Sequence, residues 1–158
     1  MSNQKTTLII LLIFSQLIAA AQPFYQRGYR SVTYSDPSRS GRAIQTDLYY
    51  PATAAGTNVA VAAGTNRFPV VVFGHGFSLP TSAYTRLADT LTRYGFIAAF
   101  PGTETGLAPS HDNFGKDLSF VATSLIQADS DPTSFLYHRI TSKAAVGGHS
   151  MEIGRAHV

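Results

Sequence analysis

The stretch Ala-Ala-Val-Gly-Gly-His-Ser-Met at residues 144–151 decides the fold, because an apolar run leads directly into a Gly-x-Ser pattern. Gly148-His149-Ser150-Met151 is the first part of the pattern Gly-x-Ser-x-Gly, in which a serine occupies a sharp turn between a strand and a helix. Such a turn lifts the serine oxygen clear of its neighbours. A lone match is common by chance, but its place directly after an apolar strand favours Ser150 as a nucleophile over a buried loop serine.

The pattern breaks at position 152, where Glu152 stands in place of the second glycine. The residues that follow, Ile-Gly-Arg-Ala-His-Val at 153–158, match the translation of a common sequencing-library adapter. An adapter joined after a codon that begins with G would give glutamate, and glycine codons also begin with G. We therefore expect residues 152–158 to be adapter read-through and the natural chain to continue with glycine. A natural polar tail is the alternative.

A second apolar run, Phe-Pro-Val-Val-Val-Phe at residues 68–73, leads into Gly74-His75-Gly76-Phe77. Its β-branched composition predicts a strand that is buried on both faces. A serine of this kind needs two backbone N–H donors for the oxyanion, one after the serine and one from the loop after an earlier strand. These positions are Met151 and Phe77, whose side chains are also candidate walls of a substrate site. A simple turn glycine followed by a core phenylalanine is the alternative.

The other segments predict alternating strands and helices. Strands are predicted at 31–34, 44–50, 68–73, 96–100 and 144–147, helices at 82–94 and 115–127, a helical turn at 134–139 and a surface loop or hairpin tip at 52–67. Strand, helix, strand, helix, strand in this order indicates the α/β class. We expect a mostly parallel sheet with crossover helices, preceded by antiparallel N-terminal strands.

The start of the chain predicts export. Residues 1–21 combine a basic start, an apolar core and small residues, which is the pattern of a signal peptide cleaved near Ala21 and predicts a secreted or periplasmic protein. The apolar stretch is shorter than the ~20 residues that span a bilayer, so we expect no stable membrane span after cleavage. An uncleaved anchor is the alternative. The chain has no cysteine, so its stability depends on its core.

The charge pattern excludes a nucleic-acid partner. The chain has 12 Lys and Arg against 9 Asp and Glu, and the resulting charge of +3 is spread along the sequence rather than clustered. No metal-ligand spacing and no phosphate-binding glycine loop occur, so no cofactor is implied.

Four histidines precede or adjoin the serine, whereas the order expected for this kind of turn is serine, acid, histidine. None of the four is therefore predicted to be the base. His75 and His149 are expected to hydrogen-bond beneath their loops, and His111 and His138 to lie on the surface or in loops. Surface, cap or loop positions are also expected for four acidic residues: Asp89, Glu104, Asp112 and Asp117.

Taken together, the pieces at 68–77, 94–101 and 148–151 resemble the α/β-hydrolase fold. Within it they are similar to the chlorophyllase, dienelactone-hydrolase-like, platelet-activating-factor acetylhydrolase and polyester-hydrolase (cutinase-like) group. The resemblance makes residues 22–151 the N-terminal part of such a domain. It implies that Ser150 is the nucleophile and that Phe77 and Met151 supply the oxyanion N–H groups, while the acid and the histidine of the group have no counterpart here.

The resemblance implies a secreted serine hydrolase that cleaves a small-molecule or polymer ester through an acyl-enzyme and needs no cofactor. Because an acid and a histidine are missing, the 158-residue chain itself is expected to be inactive. The alternatives are a catalytically inactive binding protein on the same fold and a fragment without a function of its own. A late histidine in the full-length sequence distinguishes the enzyme from both.

Overall fold

The computed structural model describes residues 24–150, so the predicted signal peptide, Met151 and residues 152–158 lie outside the described residues. The strands of this part are β1 Gln26–Asp36, β2 Arg42–Ala52, β3 Gly56–Thr57, β4 Phe68–Gly74, β5 Ile97–Pro101 and β6 Ile140–Gly148. Its α-helices are α1 Thr85–Arg93 and α2 His111–Ala128, and 3₁₀ turns occupy Pro37–Arg39 and Thr81–Tyr84.

The strands form one mixed sheet in the order β3-β1-β2-β5-β4-β6. β4 lies between β5 and β6 and is parallel to both. β1 and β2 form an antiparallel pair, and β2 joins the parallel part by pairing antiparallel with β5. The predicted α/β class, with a parallel part and antiparallel N-terminal strands, is confirmed.

The two crossovers explain why helices cover both faces of the sheet. The connection through α1 leads from β4 to β5 on one side, and the connection through α2 leads back across β4 to β6 on the other. Because right-handed crossovers in opposite directions place their helices on opposite faces, α1 and α2 sandwich the sheet.

Each helix seals a separate core. The side chains of Phe114, Leu118 and Leu125 on α2 pack in the larger core, which includes Val70 and Val72 of β4. The smaller core, beside α1, is built around Ala88, Ala98 and Phe100 with Tyr49 of β2. Each fully buried Val, Leu or Phe contributes roughly 1.5–3 kcal/mol to stability.

The burial of the two predicted central strands differs. All five residues of β5 are buried, as a strand covered on both faces requires. In β4, by contrast, Phe68, Val70 and Val72 are buried while the alternate positions remain partly exposed, so the prediction of burial on both faces is wrong there. The reason is that α1 packs mainly against β1, β2 and β5 and leaves this face of β4 partly open.

Several predicted boundaries are also wrong. α2 begins four residues before the predicted position 115, because the Ser110 hydroxyl accepts a hydrogen bond from the Asn113 N–H and caps the helix. The first helix opens as the 3₁₀ turn Thr81–Tyr84 and becomes α-helical only at Thr85. Residues 134–139 form turns rather than helix. The segment 52–67, predicted as a surface loop or hairpin tip, contains the short strand β3 and an antiparallel bridge between Ala52 and Val61.

β6 forms one edge of the described sheet, and its Ala144 and Ala145 are exposed. Neither helix between residues 24 and 150 is both long and apolar enough to cross a bilayer.

Candidate active site

Three chain segments meet at the carboxyl ends of the parallel strands, which we call the carboxyl edge of the sheet. β4, β5 and β6 run in the same direction, so the loops that follow Gly74, Pro101 and Gly148 all leave from their carboxyl ends. Gly74 and Gly148 are direct partners in the register of β4 and β6. Open α/β sheets place their ligands at this edge, so it is the part of the fold where a site is expected.

Ser150 occupies a turn immediately beyond β6. The His149 N–H donates to the Gly74 carbonyl at 3.0 Å, which extends the pairing with β4 one residue past the strand. At Ser150 the chain then adopts a φ of 62°, and the residue is exposed. A left-handed φ on a serine costs of order 1–3 kcal/mol, and such strain concentrates at functional turns. An exposed, strained serine directly after a strand has the backbone form that the Gly-x-Ser pattern predicts.

The loop after β4 presents Phe77 to solvent. Gly76 is buried, while the Phe77 side chain remains 48% exposed. The Gly76 carbonyl accepts a hydrogen bond from the Leu79 N–H at 3.1 Å, which closes a tight turn around Phe77 and Ser78. The Gly76 N–H donates to the Tyr84 hydroxyl at 2.8 Å, whereas the Phe77 N–H meets no acceptor among residues 24–150. The Phe77 N–H is therefore available to a ligand.

The loops after β4 and β6 touch each other. The hydroxyl of Tyr84 lies 3.0 Å from Nδ1 of His149 while it accepts from Gly76, so one side chain links the two loops. A Cβ atom on Gly76 would lie only 2.9 Å from the same Nδ1. The structure thus brings the predicted Ser150 and Phe77 to the same edge. His149 makes the hydrogen-bonding contact expected of it, but it is exposed, so the prediction that it lies beneath its loop is wrong.

His75 links the loop after β4 to the loop after β5. The ring is buried, with Nδ1 2.9 Å from the Gly76 carbonyl oxygen and Nε2 2.7 Å from the Thr103 carbonyl oxygen. It packs against Phe114 of α2 at a centroid distance of 4.5 Å. The predicted role beneath the loop is what the structure shows. His138, in contrast, precedes β6 and lies near its amino end, so it is remote from Ser150 along the strand.

The prediction that Asp117 is a surface or loop charge is wrong, because its side chain is fully buried. Arg42 clamps the carboxylate, donating from Nε at 2.9 Å to one oxygen and from Nη2 at 2.8 Å to the other. The Thr103 hydroxyl also donates to Asp117, at 2.6 Å. Burial alone would raise the pKa of Asp117, but the hydrogen bonds from Arg42, Thr103 and Arg39 outweigh it and hold the pKa below its usual value.

Glu104 extends this ion cluster along the loop that follows β5. One of its carboxylate oxygens accepts from Arg42 at 2.8 Å, and the other accepts from the Ser110 N–H at 2.6 Å. Asp117 and Glu104 together raise the pKa of Arg42, with the Asp117 hydrogen bond as the largest cause. The cluster therefore fixes the loop whose Thr103 carbonyl contacts His75.

Sequence reasoning missed the roles of two residues. Asp117 lies on the apolar side of α2 next to Leu118 and Val121. A carboxylate buried among apolar side chains requires a charged or hydrogen-bonding partner, so this position indicated one. Tyr84 precedes the apolar positions Leu87 and Leu91 of α1 in helical spacing, so its hydroxyl also needed a partner. Met151, the second predicted oxyanion donor and substrate wall, lies outside the described residues.

No group of three or more His, Asp or Glu side chains that could hold a metal occurs between residues 24 and 150.

Comparison with known proteins yields a structural likeness. No family model matches the chain, and no curated protein matches it in sequence. Among solved structures, a ferulic acid esterase from Streptomyces cinnamoneus matches with a TM-score of 0.64 over 88% of this chain, at 18% sequence identity. The match covers 56% of the esterase chain. The likeness shows that the two proteins share an α/β fold.

Proposed function

We propose that this chain is part of a serine ester hydrolase and that Ser150 is its nucleophile. The observation that carries the proposal is the exposed Ser150 at a φ of 62°, two residues beyond Gly148, the register partner of Gly74. The free N–H of Phe77 on the adjacent loop supports it. The esterase among the structural matches agrees with this class of chemistry.

In the proposed reaction, the Ser150 oxygen attacks the ester carbonyl as a base removes its proton. The carbonyl oxygen becomes an oxyanion, which the backbone N–H groups of Phe77 and Met151 stabilise. Collapse of the tetrahedral intermediate expels the alcohol, which takes up the proton from the base, and leaves the acyl group on Ser150. Water then attacks the acyl-enzyme and releases the carboxylic acid. The chemistry requires no cofactor.

The acid and the base of this reaction are proposed to follow Ser150 in a longer natural chain, in the order serine, acid, histidine. Residues 22–151 are then the N-terminal part of the hydrolase domain, and residues 152–158 are not native. A signal peptide at 1–21 would direct the protein out of the cytoplasm. The chlorophyllase, dienelactone-hydrolase-like, platelet-activating-factor acetylhydrolase and polyester-hydrolase group remains the proposed affiliation.

The substrate is proposed to be an ester with an apolar or aromatic acyl group. The half-exposed ring of Phe77 stands on the same loop as the free N–H, so it can contact the group attached to the carbonyl. Esters of ferulic acid are suitable probes, because one structural match is named for that acid.

The native locus provides the test. Its coding sequence is expected to place glycine at position 152 and to continue with a later aspartate and a later histidine. The protein encoded by that full frame should hydrolyse p-nitrophenyl acetate and methyl ferulate. The Ser150→Ala variant and the 158-residue chain should not. Turnover by the 158-residue chain at the rate of the full-length protein would contradict the proposal. A native frame without a late histidine would favour the inactive binding protein instead.

A further inference from the structure

We propose that the Tyr84 hydroxyl is a positioning residue for the oxyanion site, which it holds together by linking the loop after β4 to the turn after β6. This inference rests on the proposed function. Tyr84 contacts no reacting atom in the proposal and acts through Gly76 and His149.

The hydroxyl makes two contacts with complementary roles. It accepts the Gly76 N–H at 2.8 Å, and it lies 3.0 Å from His149 Nδ1. Since the oxygen is already an acceptor for Gly76, its own proton is available to Nδ1. One phenol group thereby joins the residue before Phe77 to the residue before Ser150.

The ring of Tyr84 is held in place on its own side. It packs against Phe73 with a centroid distance of 5.2 Å and stacks on Phe100 at 6.1 Å. The residue also closes the 3₁₀ turn Thr81–Tyr84 at the start of α1, so its backbone is fixed by the helix. The hydroxyl therefore has a defined position relative to the strands that carry both loops.

The hydrogen bond to Gly76 determines which N–H of the loop remains free. Gly76 and Phe77 offer two successive N–H groups, and Tyr84 occupies the first of them. Gly76 is buried, so without the hydroxyl its N–H would have no hydrogen-bond partner. A loop conformation that turns this N–H toward another acceptor would then become more stable. Such a turn would re-aim the adjacent Phe77 N–H. Oxyanion donors act at 2.7–3.1 Å from the developing charge. A small change in the direction of the N–H therefore reduces the stabilisation of the transition state more than that of the ground state.

The test is Tyr84→Phe in the full-length protein, which keeps the packed ring and removes only the hydroxyl. We expect kcat for p-nitrophenyl acetate to fall about tenfold or more while KM changes little. This fall should be smaller than the fall in kcat caused by removing an oxyanion donor itself. The inhibition constant of a trifluoromethyl ketone, which forms an oxyanion on the serine, should rise in parallel. Tyr94→Phe is the matched control, because this tyrosine is 63% exposed and lies at the other end of α1.

A second variant covers the case in which Tyr84→Phe does not fold. Difluorotyrosine at position 84 keeps the shape of the side chain, and at a pH where its acidified hydroxyl stays protonated the oxygen is a weaker acceptor, so we expect a smaller fall in kcat at an unchanged melting temperature. Unchanged kcat in the folded Tyr84 variants, together with an inactive Ser150→Ala, would overturn the positioning role and leave the proposed function intact. Activity retained by Ser150→Ala would instead remove the proposed function on which the inference rests.

Discussion

Gly76 faces the imidazole of His149 so closely that a Cβ atom on the glycine would lie 2.9 Å from Nδ1. The two residues are 73 positions apart, and each lies next to a predicted functional residue, Phe77 in one case and Ser150 in the other. The close approach therefore sets the distance between the proposed oxyanion donor and the proposed nucleophile.

Gly76→Ala is expected to disturb this approach. The added methyl group must displace the His149 ring, so we expect kcat of the full-length enzyme to fall about tenfold or more and the free energy of unfolding to fall by about 1–3 kcal/mol. Steady-state kinetics and urea denaturation measure both. The control is Gly115→Ala in α2, where a Cβ atom meets nothing within 4 Å and the helix should gain roughly 0.5–1 kcal/mol. Normal kinetics for Gly76→Ala would show that the approach has no catalytic role.

Substitutions at Ser150 should reveal the backbone strain of the turn. Both Ser150→Ala and Ser150→Gly remove the proposed nucleophile, but only glycine adopts a φ of 62° without cost, so Ser150→Gly should be more stable than Ser150→Ala by about 1 kcal/mol. The same pair at Ser142, an exposed residue of β6, should show the opposite order, because glycine weakens a strand. Equal stabilities at Ser150 would argue against a strained turn.

The buried carboxylate of Asp117 should make stability depend on pH. Its pKa is lower in the folded protein than in the unfolded chain, so its stabilising effect is complete above the unfolded value of about 3.9 and is lost as the pH falls toward the lower folded value. We expect the free energy of unfolding to decline below about pH 4. Asp117→Asn should cost about 3 kcal/mol at pH 7, since it leaves Arg39 and Arg42 without their buried partner, and the difference from the wild type should narrow in acid.

Asp89→Asn is the matched control for this effect. Asp89 also pairs with an arginine, Arg27, at 2.8 Å, but both side chains are well exposed, so its loss should cost less than about 1 kcal/mol. A similar cost for the two variants would mean that the cluster around Asp117 contributes no more than a surface ion pair.

Substitution of Phe77 is expected to weaken the binding of aromatic substrates without slowing the chemical step. Phe77→Ala keeps the backbone N–H but removes the exposed ring, so kcat for p-nitrophenyl acetate should change little. The value of kcat/KM for an aromatic acyl ester should fall about tenfold. Phe24→Ala is the control, because Phe24 is also well exposed, at 65%, but lies far from the proposed site. It precedes β1, and β1 points in the same direction as β5 because each of them is antiparallel to β2. Phe24 therefore lies at the amino ends of the parallel strands, opposite the loops that carry Ser150 and Phe77. An equal loss for both esters would place Phe77 in the chemistry rather than in substrate binding.

The sequence was sufficient to predict the order of elements that builds the edge. The apolar runs of β4 and β5 lead into glycine-containing turns, and that of β6 leads into the Gly-x-Ser pattern, so the strands and the loops after them were both predictable. The position of Ser150 after β6 follows from the same local pattern. Helix starts were less predictable, because the cap at Ser110 is a local hydrogen bond that the apolar spacing of α2 does not reveal.

The links between the loops depend on contacts across long stretches of sequence. The Tyr84 hydroxyl meets His149, 65 residues later, and Arg42 meets Asp117, 75 residues later. Periodicity predicts which face of a helix is buried, but it does not identify the partner of a polar group on that face. For this reason the roles of Asp117 and Tyr84 could be identified only from the folded structure.

The proposed function depends above all on the acylation of Ser150. The most direct measurement is peptide mass spectrometry of the full-length protein from its native reading frame after treatment with a fluorophosphonate. We predict one adduct, on the peptide that contains Ser150, with loss of esterase activity in proportion to labelling. Loss of activity with the adduct on a different residue, or an unlabelled Ser150 in protein that still hydrolyses esters, would contradict it.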